Sequence, residues 1–142
     1  MMFRRFADDD WGGPPDPEPL RLAALPAGEA MLIWGLRRLA LLRPIGSARC
    51  HALHIALHQG YGDAGLGIEH LLRCLLVGLA RRTDRPLGLG QPACPLLTRD
   101  EVLLLAAFTG DPGPGLARLA GPQAAALAPL LRSLKPMLKN IS

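Results

Sequence analysis

The chain is poor in aromatic, β-branched and lysine residues. Aromatics make up 4% of its 142 residues, so a core cannot rest on large rings and has to be aliphatic. Valine and isoleucine, which strands favour, are scarce, and this argues against a sheet. Only three cysteines occur, with no paired spacing. That excludes a disulfide framework and points to a reducing, cytoplasmic setting of bacterial type. Long apolar runs are missing too. The best two, 31–42 and 71–80, are interrupted by Arg37, Arg38 and Arg73, which excludes a membrane-spanning helix. Asp8, Asp9 and Asp10 stand where a secretory signal would need its apolar stretch. Catalytic motifs are also lacking. No glycine-rich loop follows a recognisable strand, and no nucleophile elbow or Ser/His/Asp order occurs. The expectation is a protein without enzymatic activity.

Leucine and alanine, both strong helix formers, supply most of the 49% hydrophobic content. The expected fold is all-α: a compact bundle of five or six helices over 26–142, preceded by a proline-rich arm over 1–25. The arm carries Pro14, Pro15, Pro17 and Pro19, which regular helix and sheet do not tolerate. It also holds Phe3, Phe6 and Trp11, half of the six aromatics, beside an acidic run. Apolar anchors of this kind suit docking, either on the chain's own domain or on a partner. The body has a net charge of +6 against −2 for the arm. A basic body can attract polyanions. With fourteen arginines to two lysines, however, the bias fits GC-rich coding, and nucleic acid is not the expected partner.

Periodicity predicts a first helix over 26–43, with Pro26 at its first position and Pro44 beyond its end. Apolar residues cover most of its surface, with Arg37 and Arg38 as its wet edge. A second helix is expected from Ser47 to Gly60, and a third up to about Thr83. On the third, Glu69 and Arg73 form an i,i+4 pair away from the leucine stripe. The stretch 84–97 carries three prolines and should be an irregular connection packed across the bundle. Thr98 and Glu101 spell a capping box for a fourth helix. Asp111–Gly115 reads as a turn before a short helix over 116–120. Pro129 and Pro136 should kink or end the last helix.

Every cysteine and histidine falls between Cys50 and Cys94. His51, His54 and His58 share one face of the second helix, opposite Leu53 and Leu57. If the second and third helices form an antiparallel hairpin, His58 can stand level with His70 and His54 with Cys74. Those four side chains, His54, His58, His70 and Cys74, would then be a candidate Zn²⁺ set. The plainer reading is a solvated polar face. Cys94, held between Pro92 and Pro95, is a candidate redox thiol or a small buried apolar group.

Two resemblances bear on function. The stretch Leu97-Thr98-Arg99-Asp100-Glu101 to Gly110, with Leu116, Ala117 and Gly121, is similar to the start of the helix-turn-helix domain of LuxR-type regulators. That implies DNA binding, but Ala124, Ala125 and Ala126 offer little to read a base edge. Trp34-Gly35-Leu36-Arg37-Arg38, Pro92-Ala93-Cys94-Pro95 and Leu97-Thr98-x-Asp100-Glu101 together resemble a family of small uncharacterised all-helical proteins of alphaproteobacteria, which implies no particular activity. The leading expectation is a protein–protein interaction or regulatory module acting through its arm, with a protein partner or as a homodimer. A metal-binding or redox-responsive helical protein comes next, then a DNA-binding regulator.

Overall fold

The computed structural model describes residues 20–42, 49–81 and 87–139. Among them the fold is all-α, and no strand is present. The helices are α1 (Ala27–Leu39), α2 (His51–Tyr61), α3 (Gly65–Ala80), α4 (Arg99–Thr109), α5 (Pro112–Ala120) and α6 (Ala124–Lys139). None of the described helices is long and apolar enough to cross a membrane.

Three helices form the centre, with α1, α3 and α6 packed against one another. The leucine-rich faces meet there: Leu32, Ile33 and Leu36 from α1, Leu72, Leu75 and Leu76 from α3, Leu134 and Leu138 from α6, all fully buried. The second helix lies on α3, while α4 and α5 form a pair against α6. Aromatics contribute little to the core beyond Tyr61 and Phe108. Burial of so many aliphatic side chains, at roughly 1.5–3 kcal/mol each, is the main force holding the helices together.

Local signals set several boundaries. Thr98 caps α4: its Oγ1 accepts from the Glu101 amide at 3.1 Å, and Glu101 Oε1 accepts from the Thr98 amide at 2.8 Å, completing the capping box. Pro26 is the N-cap of α1 and not its first residue, so α1 starts one residue later than expected and closes at Leu39, short of the expected 43. Cys50 is the N-cap of α2; the expected cap, Ser47, lies outside the described residues.

One proline expectation is corrected outright and another in part. Residues 112–115 are not a separate turn but the first turn of α5, capped by Asp111, whose Oδ1 accepts from the Gly113 amide at 3.1 Å. Amides of a first turn have no helical partner, so Pro112 and Pro114 cost little there. Nor do Pro129 and Pro136 end α6, which continues through both to Lys139. Both prolines sit on its exposed side, while Leu127, Leu131, Leu134 and Leu138 are buried against the bundle. Packing of that stripe outweighs the two missing hydrogen bonds.

Residues 20–25, expected as part of the arm, run along the body. A 3-10 turn covers Leu22–Ala24. Arg21 forms an isolated antiparallel bridge with Leu96, through Leu22 N to Pro95 O at 2.8 Å and Leu97 N to Leu20 O at 3.0 Å. Leu22 and Leu25 rest on the core. Phe3, Phe6 and Trp11 lie outside the described residues.

Candidate functional site: an apolar groove on a buried arginine clamp

The described part of the connection between α3 and α4, residues 87–98, is gathered about one buried cation. Arg37, expected at the wet edge of α1, is instead buried, with 1% of its surface exposed. Its Nε donates to Glu101 Oε2 at 2.7 Å and its Nη2 to Glu101 Oε1 at 2.8 Å, a bidentate pair. Nη1 donates to the carbonyls of Gln91 (3.1 Å) and Cys94 (2.8 Å), and Nη2 to that of Leu96 (2.9 Å). All five N–H groups of the guanidinium are thus engaged. Glu101 is equally committed, because it also accepts from the amides of Thr98 and Gly90. Asp100 Oδ2 takes the Gly88 amide at 2.7 Å, and Thr98 Oγ1 donates to the Gly88 carbonyl at 2.6 Å.

A buried ion pair repays its desolvation only when its remaining polar atoms are satisfied; here they are. The connection gains a defined path because these bonds satisfy carbonyls and amides that no helix would pair. Gly90 is required by this packing: a Cβ there would stand 2.8 Å from Arg37 Nη2.

The clamp makes residues 93–95 one wall of a groove. Another wall is α1, through Ala27, Ala30, Met31 and Trp34, and the 3-10 turn contributes Leu22 and Ala23 at the edge. The groove is shallow and open to solvent, about 550 Å³ in volume and mostly apolar in its lining, a size that accommodates a few side chains of a docking segment. Met31, Trp34 and Cys94 are partly exposed within it. The chain enters at its lip, since Leu20 to Leu22 run beside Pro95 to Leu97. Cys94, a candidate redox thiol, is therefore a wall residue. Its carbonyl is held by Arg37, and its thiol faces the Leu96 carbonyl at 3.5 Å.

The histidine and cysteine candidates are placed differently from a level hairpin. His54 Nδ1 meets Glu69 Oε1 at 3.2 Å, and the backbone at Gly65 lies close against the carbonyl of Leu57. Those contacts bring Leu57 level with Gly65 and His54 level with Glu69, so His58 is not opposite His70, nor His54 opposite Cys74. The short 3-10 turn at Gly62–Ala64 reverses the chain early and shifts the register. Glu69, expected on the outer face with Arg73, is buried against α2. Its Oε2 lies 3.4 Å from Arg49 Nε and takes no hydrogen bond. His58 is exposed. His70 Nε2 and Cys74 Sγ stand 3.6 Å apart on the exposed side of α3. Among the described residues no three His, Cys, Asp or Glu side chains are grouped to hold a metal ion.

Cys50 stands outside the candidate metal and redox residues of the sequence. It is buried at the start of α2, and Arg38 Nε lies 3.4 Å from its Sγ. Burial pushes this thiol up. The hydrogen bond from Arg38, contacts with the Leu53 and Ala52 amides, and the arginine's charge together outweigh it, leaving the thiol below its ordinary value. A signal for Arg37 was present in the sequence. It lies within about 60° of both Ile33 and Ala40 on the helical wheel, on the buried side of α1.

No protein-family model, curated protein or solved structure matches this chain.

Proposed function

We propose that this protein is a non-enzymatic interaction or regulatory module, one helical domain with an N-terminal proline-rich arm. It binds an apolar segment of a protein partner in the groove between α1 and residues 93–95. The observation that supports this reading is the groove's construction. An apolar cavity is walled by a loop whose backbone is tied down by the buried Arg37–Glu101 pair. Preformed walls reduce the ordering cost of binding. Arg37 and Glu101 spend their hydrogen-bonding capacity on the fold, which suits a supporting role better than chemistry on a substrate. The arm joins the body at the groove's lip, so Phe3, Phe6 and Trp11 can add contacts to a partner seated there.

The test is affinity capture from the native host, in the presence of a chelator, with three baits: the full chain, a chain lacking residues 1–19, and Met31→Glu. The truncation stops short of Leu20 because Leu20 to Leu22 belong to the body. A partner retained by the full chain and lost at least tenfold from both variants supports the reading. A partner held equally by all three refutes it, provided circular dichroism shows each bait folded.

A further inference from the structure

We propose that His70 and Cys74 form half of a metal site that a second copy of this chain completes, so that Zn²⁺ or a similar thiophilic cation bridges two α3 helices. This site is separate from the groove and does not depend on it.

His70 and Cys74 have the bite of a metal-binding pair. Nε2 and Sγ lie 3.6 Å apart, one helical turn from each other. Zinc bonds of roughly 2.0–2.1 Å to imidazole and 2.3 Å to thiolate, at a tetrahedral angle, hold nitrogen and sulfur about 3.5 Å apart. The two side chains therefore already have the spacing of adjacent ligands. Both lie on the outward side of α3, where His70 is exposed and Cys74 partly so. A tetrahedral structural site needs four protein ligands, and the described part of one copy offers no group of three.

An isologous dimer supplies the missing two. In a two-fold contact each copy presents the same patch, so His70 of each meets Cys74 of the other, giving a His₂Cys₂ set. When two α3 helices cross antiparallel with those residues level, the turn just before α3, which carries Asp63, lies near the C-terminal end of the second copy's α3, which carries Arg81, and the same holds at the other end. Both residues are exposed, so the arrangement pairs opposite charges at each end. Leu66, an exposed large apolar residue at 55%, comes within one position of Val77 of the second copy. Apolar contact on either side of the metal and charge pairing at the ends fit a second copy of this chain.

On binding, each Cys74 thiol loses its proton to solvent and each His70 binds through neutral Nε2. No redox step is involved.

The experiment uses untagged full-length protein, reduced with a phosphine. Co²⁺ is the spectroscopic probe and Zn²⁺ the probe for assembly, followed by sedimentation. The expected result is one metal per two chains, a visible spectrum of tetrahedral thiolate-bound cobalt, and dimers that a chelator dissolves. His70→Ala and Cys74→Ala should each abolish the spectrum and the dimer, while His58→Ala and Cys94→Ser leave both unchanged. Asp63→Arg should weaken metal-dependent dimerisation at least fivefold, and adding Arg81→Asp should restore it. Metal bound one per chain by a monomer, metal binding that survives His70→Ala, or a dimer indifferent to metal would each overturn the proposal.

Discussion

At the scale of single residues, helical rotation decides which charge is buried and which is not. Arg37 and Arg38 are neighbours in sequence with opposite fates. One is locked inside against Glu101, while the other reaches the Cys50 thiol. Helical rotation of about 100° per residue separates them. Removing one member of a buried, fully hydrogen-bonded pair strands the other in a medium that cannot solvate it. Arg37→Met should therefore destabilise the fold by about 3–5 kcal/mol, measured by urea unfolding. Pairing it with Glu101→Leu should recover part of that loss. A loss under about 1 kcal/mol for the single variant would mean that water reaches the pair.

Helices in this molecule approach one another closely at chosen points. Gly28 near the start of α1 is one: a Cβ placed there would stand 2.7 Å from the carbonyl oxygen of Leu138 in α6. The neighbouring atom is backbone, so it cannot rotate away. Alanine is otherwise the better helix former by about 1 kcal/mol, and on an isolated helix Gly28→Ala would stabilise. Here the clash should win, with a net loss of about 1–3 kcal/mol, the range seen for overpacked positions. Thermal unfolding gives the sign directly. A rise in melting temperature would show that α1 and α6 can slide apart at no cost.

Across the whole molecule, α2 is tied to the last helix by one hydroxyl, Tyr61 Oη donating to the Leu138 carbonyl at 3.0 Å. Burial raises the tyrosine above its ordinary value, since the phenolate would sit in an apolar place. The raised group contributes stability that is fully present below the ordinary tyrosine value, about 10. That contribution is lost as pH rises through the higher folded-state value. Melting temperatures followed from neutral to alkaline pH should fall more steeply for the native chain than for Tyr61→Phe. Parallel curves would show that Tyr61 ionises as freely folded as unfolded.

Much of this was legible without coordinates, because helices and their caps are local. Thr98 and Glu101 are three residues apart, so their capping box needs nothing beyond α4. The excess of leucine and alanine over valine and isoleucine already pointed to the all-α class, and the leucine stripe of α3 repeats at helical spacing. The groove and the clamp were not legible. Arg37 and Glu101 are 64 positions apart, and nothing in either neighbourhood names the other. Register between α2 and α3 likewise depends on how tightly Gly62–Ala64 turns and on how near Leu57 can come to Gly65. Pairing between distant segments is decided by the combined packing of the bundle, and only the tertiary structure settles it. What the amino-acid order determined alone was which stretches coil and which faces are apolar, because those preferences act within a few residues of chain.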